Sequence, residues 1–404
     1  FKQKTAYEIY QCDWSSDVCS SDLASMMLYA NKVYNMEDEI QFYCIYDPNI
    51  PIAHVGESIS TGVVDVLERC IDFSFDQLSE FDGTVRSHTR YFWNDVNGKE
   101  FDVLYTKPGV HANSEKFSLF ILKELQKKYT NIFEIQDEVL SLHQTSYDVT
   151  LKCKNEEYKF DYVLDCRGMP TAEELNSDAY AEPEFQGVNS VVIYPEFVSY
   201  EEKFTSTHVH ENGWMFGVPI AHRKAWGYLY NNNYIDVDTA VEKLGEIKDI
   251  VDKKIIKLSW KQHYKVNAMD GRVLAIGNKL YFFEPHQAIP LHYYVNIASL
   301  FITELIEPVS SNISRYMNGY HTNQIAMIKD LIALNYVADT NMKSVYWKNT
   351  QAEAEAYLKN SKTFVDFAKV SIKSNIIQPY WSHGINMMRN YIEGYNIDLK
   401  KFIP

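Results

Sequence analysis

Few groupings in the 404-residue chain have the residue types and spacing for chemistry. Trp214 and Phe216 alternate in GWMFGVPIAHR (213–223), so a strand there sets both flat rings on one face, either as core or as the wall of a channel. His208 and His210 have the same spacing, which suits two metal ligands; no third ligand is evident, and packing is the alternative. His286 and His292 lie around a proline-containing bend, where an imidazole can exchange protons near neutral pH. Asp165-Cys166-Arg167-Gly168 ends an apolar run, as a plain turn or as a strand end that brings bare backbone to a ligand.

These residues need a frame, and the hydrophobic pattern supplies one. ASMMLYANKVYN from Ala24 has helical spacing, and IQFYCIY up to Tyr46 reads as a buried strand. Helix then strand, entered abruptly, is the second half of a βαβ unit. Phe117 to Tyr129 reads as an amphipathic helix, followed by strand-like stretches to Gly168. Val188 to Tyr230 keeps a β pattern, 236–257 looks helical, and RVLAIGN (272–278) is a buried strand ending at a glycine turn. Beyond Pro285 the pattern is mostly helical. The fold class is therefore α/β, with a β-rich layer, an α/β return and a helical end.

Residues 1–23 stand apart. FKQKTAYEI and DWSSDVCSSDL are what the two fixed parts of a common sequencing-library adapter spell in one frame, separated by the length of a short index. We set this stretch aside before reasoning about the fold and expect the functional chain to begin near Ala24. The first strand and glycine-rich loop of the βαβ unit would then be missing, which fits the absence of any G-x-G-x-x-G motif. The net charge is −15, and no basic stripe exists to meet nucleic acid or an anionic membrane surface. Cys44, Cys70, Cys153 and Cys166 have no close spacing, as expected of reduced thiols in a cytoplasmic protein.

Six segments, in order, resemble the flavin-dependent tryptophan halogenase family: VGESIST (55–61), GWMFGVPIAHR, GYLY (227–230), FFEPHQAIPL (282–291), IKDLIALNY (328–336) and SVYW (344–347). The resemblance implies a fold like that of the FAD-dependent monooxygenases. It divides the chain into a first FAD-binding part (24–185), a β-rich substrate-side region (186–263), an FAD-binding return (264–305) and a helical cap (306–404). It implies FAD reduced by a separate flavin reductase, halide, dioxygen and a small aromatic substrate. A homo-oligomer is possible within the family. Hypohalous acid is made beside the flavin and crosses a tunnel to an essential lysine, which acts with a glutamate. Such a reagent is indiscriminate, so the tunnel wall must be inert and the last group must aim it.

Carried over by position, the resemblance implies flavin contacts at Gly56, Glu57, Ser58, Asp165, Gly168, Gly277, Glu284 and Pro285. For Gly56 to Ser58 the alternative is a helix N-cap with an acidic first turn. Asp47 ends the second strand, where a carboxylate binds ribose hydroxyls, although the ungapped match puts that position at Tyr46. Trp214, Phe216 and Pro219 would line the tunnel. Arg86 falls on the lysine and Arg90 four residues on, the alternative being two solvated helix residues. Gln287 takes the place of the glutamate, and Ala288 that of the serine after it. Halide would meet backbone at Ile289 and Pro290, but proline has no N–H. Arginine cannot form a haloamine readily, and glutamine carries no charge. We expect a halogenase-family enzyme, with an oxygen-transferring monooxygenase or a non-catalytic flavin binder as alternatives. The chain as it stands, without its loop, is expected to be inactive.

Overall fold

The computed structural model describes residues 11–12, 18–49, 56–93, 100–250, 255–286, 288–376 and 387–403. Two sheets organise these residues. The first has six strands, and at its centre Val163–Cys166, Gln11–Cys12 and Phe42–Tyr46 run parallel. Ile132–Gln136 extends one side in parallel, and Val273–Ala275 the other. Strands covered on both faces are largely apolar, as FYCIY is, and VLDC departs from this only at Asp165, which is paired with Arg167.

Helix Val18–Met27 follows Gln11–Cys12 and runs unbroken through the Leu23–Ala24 boundary expected from the sequence; residues 13–17 lie outside the described residues. Ser20, Ser21 and Leu23 are buried, as are Ala24, Met26 and Met27. The helix packs on Ile289–Ile306, where Ser25 Oγ donates to the Val295 carbonyl at 3.1 Å. Ile289–Ile306 is long and apolar enough to cross a membrane, but much of it is interior here: Tyr293, Ile297, Ala298 and Phe301 are fully buried.

The second sheet has eight strands in the order Ile256–Ser259, Ser190–Glu196, Arg223–Tyr230, Gly213–Ile220, Phe204–His210, Thr84–Phe92, Phe101–Asn113 and Gly56–Ile59. Its neighbours are antiparallel except where Phe204–His210 meets Thr84–Phe92. The β layer thus draws strands from both the 24–185 and 186–263 stretches. Cys44, Cys70, Cys153 and Cys166 are all buried, and none of them forms a disulfide.

One expectation changes, and two alternatives fall away. Among the described residues of the 236–257 stretch, the helix covers Val237–Ile247; Ile256–Ser259 is an edge strand on Ser190–Glu196, where main-chain pairing overrides a weak helical period. Gly56–Ile59 is a strand, and helix Thr61–Ile71 begins after it with Ser60 as its N-cap residue. Arg86 and Arg90 lie on a strand rather than on a helix.

Candidate active site

The large sheet turns one face inward, and strand register decides which side chains occupy it. Trp214 stands opposite Leu229 and Val209, and Phe216 opposite Gly227 and Thr207. A Cβ on Gly227 would collide with the Phe216 ring, so only glycine leaves that ring its place. Trp214 is buried, and its indole N–H donates to the Tyr336 hydroxyl at 3.1 Å. The Pro219 carbonyl accepts the Thr84 hydroxyl at 2.7 Å.

Arg86 reaches the same face because a bulge between Arg86 and His88 shifts the strand register. It is 1% exposed, and its guanidinium lies over the Tyr105 ring, 4.7 Å from the centroid. Its Nε–H donates to Thr205 at 3.0 Å and its terminal nitrogen to Thr89 at 2.9 Å. Thr205 also contacts Ser58 at 3.0 Å and His111 Nε2 at 2.9 Å. Arg90 differs: it is partly exposed and pairs with Asp102 at 2.7 Å. Thr205, His111 and Tyr105 carry no local signal in the sequence, because only strand pairing brings them to Arg86.

The 282–292 bend closes against this region. Ser60 Oγ lies 3.3 Å from His292 Nδ1, and helix Thr61–Ile71 goes without a side-chain cap from that serine. A Cβ on Gly62 would stand 2.5 Å from the His292 ring, so the close approach needs glycine. Glu284 is buried and accepts from the Tyr336 hydroxyl at 2.9 Å, while its Oε1 has no hydrogen-bond partner. Burial pushes its carboxyl up to about 8, against smaller opposing effects of Tyr336, the Val188 backbone and Trp214. His286 is held by Tyr391 at 2.6 Å and by Asn335, and burial lowers it to about 3, so the ring is neutral. Pro285 is exposed, and Gln287 lies outside the described residues. Ala288 has φ +57°, and the Ile289 N–H donates to the His286 carbonyl at 3.1 Å. Asn335 and Tyr336 end the IKDLIALNY segment, so the sequence did hold a signal for them.

The strand ends of the parallel sheet hold the remaining expected residues. Asp165 is buried and doubly bonded to Arg167 at 2.8 and 2.9 Å; that guanidinium holds its carboxyl below the usual range although burial opposes it. Gly168 has φ +69° and Gly277 φ +62°, and the Ile276 N–H donates to the Asp165 carbonyl at 3.0 Å. Asp47 ends Phe42–Tyr46, where its carboxylate accepts from the Asn49 backbone at 2.9 Å. Glu57 is partly exposed, and burial of its carboxyl raises it to about 7. His208 and His210 lie on the opposite face of the large sheet, stacked on Phe92 and Tyr228 at 4.4 and 3.7 Å. No group of three metal-ligating side chains occurs among the described residues.

The family model described as tryptophan halogenase matches residues 102–377. The chain belongs to the tryptophan halogenase family. Solved halogenases share its fold at low identity. A tryptophan halogenase from Shewanella frigidimarina aligns with a TM-score of 0.80 at 15% identity, over 98% of this chain and 90% of that one. A flavin-dependent halogenase from Xanthomonas campestris gives 0.80 at 13%, over 98% and 89%. A tryptophan 6-halogenase from Streptomyces toxytricini gives 0.77 at 14%, over 97% and 90%. No curated protein matches by sequence. This halogenase family uses FAD, and the strand ends fit such a group. Two positive-φ glycines turn the backbone at adjacent parallel strand ends, the place where open α/β sheets receive a nucleotide.

Proposed function

We propose that the chain is an oxidoreductase of the flavin-dependent halogenase family, acting on a small aromatic or electron-rich substrate with FAD reduced by a separate flavin reductase. Asp47, the Gly56-Glu57-Ser58 strand, Asp165, Gly168, Gly277, Glu284 and Pro285 would hold FAD, which when bound and reduced supplies two electrons to dioxygen. Trp214, Phe216 and Pro219 would wall the path to the substrate. Arg86 aims the oxidant at its end, and Gln287, by its match in sequence, would take the role of the family's glutamate. One observation carries this reading: Arg86, at the family's lysine position, shares the Thr205 hydroxyl with Ser58 of the flavin-side strand.

The work of these residues is positioning and exclusion. Phe216 and Pro219 present no strong nucleophile to hypohalous acid, and the Trp214 indole has its N–H committed to Tyr336. Arg86 donates to the oxygen of that acid, while the halogen passes to a ring carbon and water leaves with the ring proton. A second reading, oxygen transfer, rests on the halide position. The Ile289 N–H donates to His286, and Pro290 has none. In that case one oxygen atom of dioxygen is inserted into a ring C–H bond to give a hydroxyl, and the other takes the two electrons and two protons and leaves as water.

The test is incubation with reduced FAD, dioxygen, chloride or bromide, and an activated phenol or indole, read by mass spectrometry. A halogen mass shift supports the first reading and addition of one oxygen the second. FAD binding without any product overturns both.

A further inference from the structure

The Arg86 surroundings contain a chain of hydrogen bonds whose directions are fixed by counting protons. Thr84 has one hydroxyl proton, and it goes to the Pro219 carbonyl at 2.7 Å. Its oxygen must therefore accept at its 3.2 Å contact with His111, so His111 carries its proton on Nδ1. A neutral imidazole has one N–H, which leaves Nε2 as an acceptor. Thr205, 2.9 Å away, gives its proton to that nitrogen. With its proton committed, Thr205 offers two lone pairs, and two donors face it: Arg86 Nε–H and the Ser58 hydroxyl, each at 3.0 Å. No donor in the chain lacks an acceptor.

The fold builds this row deliberately. His111 pairs directly with Ser58 on one neighbouring strand and with Thr84 on the other, so three side chains share one face in line. Thr205 comes from the strand Phe204–His210, which pairs in parallel with Thr84–Phe92. His111 is fully buried. Burial, Arg86 and Lys224 all keep its ring neutral, in that order of weight. A protonated ring would reverse the Thr205 hydroxyl and place a second cation beside the guanidinium.

We infer that His111 is the positioning residue for Arg86: locked in its Nδ1–H tautomer, it orients the Thr205 hydroxyl, and that hydroxyl fixes the direction of the guanidinium. The inference concerns geometry, and its catalytic consequence rests on the reading of Arg86 given above.

Nitrogen NMR on the full chain, labelled at histidine and arginine, tests it without any cofactor. His111 signals are assigned by their loss in His111→Gln, and the Arg86 Nε–H by its loss in Arg86→Lys. We expect an Nδ1–H tautomer at His111 and a solvent-protected Arg86 Nε–H. That protection should persist in His111→Gln, which keeps an acceptor for Thr205, and vanish in His111→Leu. Thr205→Val should abolish it and Thr205→Ser retain it, which covers the case in which His111→Leu does not fold. In the catalytic assay, loss of protection should lower kcat by about ten- to a hundredfold with KM for the aromatic substrate unchanged. An Nε2–H tautomer, or protection that survives in a folded His111→Leu, overturns the inference, as does protection that survives Thr205→Val. Lost protection with unchanged turnover upholds it and overturns the assignment of Arg86 as the aiming group.

Discussion

The two sides of the candidate site solve the problem of a buried ionisable group in opposite ways. Around Arg86, a network of hydroxyls and one imidazole holds the guanidinium, and the proton directions from Ser58 to Pro219 are determined. Around Glu284, one carboxylate oxygen accepts from Tyr336 and Oε1 has no hydrogen-bond partner, so burial outweighs the smaller effects of Tyr336, the Val188 backbone and Trp214 and raises its carboxyl to about 8. Hydroxyl networks hold a charge in place, whereas an apolar enclosure makes a group whose charge depends on pH. The first side suits aiming and the second suits changing protonation.

The largest test of that contrast removes the fixed charge. Arg86→Ala should lower turnover by roughly a hundred- to a thousandfold, the loss typical when a preorganised donor is removed. It also removes one donor each from Thr205 and Thr89, which keep Ser58 and Tyr105, at about 1–3 kcal/mol of stability by denaturant melting. Arg86→Lys combined with Gln287→Glu should raise the halogenated fraction of product. If it does not, the placement of these residues on the family's catalytic pair is wrong.

The carboxyl side is tested through pH. An unfolded Glu284 ionises near its ordinary value of 4.5, while the folded one holds its proton to about 8. The sign follows: the folded state is unhindered below pH 4.5 and loses stability as pH rises from there through about 8. Glu284→Gln keeps an acceptor for Tyr336 and cannot ionise. It should match the parent at pH 4 and exceed it by roughly 3 kcal/mol near neutrality. Melting curves that stay parallel across that range refute a protonated Glu284.

Much of this frame was legible in the sequence because it follows single-segment patterns. FYCIY, FSLFILKELQKKY and the alternation around Trp214 each report their own burial. Glu284, Asn335 and Tyr336 sit inside segments that resemble the family. The Arg86 side was legible only as a position. TVRSHTRYF puts polar residues on both faces, so its period says nothing of a strand, and it is central in the sheet only because its neighbours pair with it. Thr205 and His111 lie 119 and 25 residues from Arg86, and nothing local predicts a bond that the sheet creates. The halide position also needed coordinates, since a missing N–H at Pro290 is visible in sequence and the engagement of Ile289 is not.

Between the two sides lie the aromatic walls, where a smaller effect is expected. Gly227→Ala drives a methyl into the Phe216 ring. Overpacking of this kind costs about 1–3 kcal/mol. The displaced ring should change KM for bulky aromatic substrates more than kcat, if Phe216 lines their path. An unchanged KM with the expected loss of stability would make Phe216 core packing alone.

The smallest change sharpens the comparison most, because Trp214 touches the carboxyl side through a single proton. Its indole N–H donates to Tyr336, which in turn donates to Glu284. Trp214→Phe keeps a flat ring and removes that donor, at a cost of about 1 kcal/mol. Trp214 favours the ionised form of Glu284, so its loss should move the carboxyl further upward. The loss of stability with rising pH should then extend to a higher pH than in the parent, while the Arg86 Nε–H signal stays where it was. A shift of both would mean that the two sides share one network, and their contrast would dissolve.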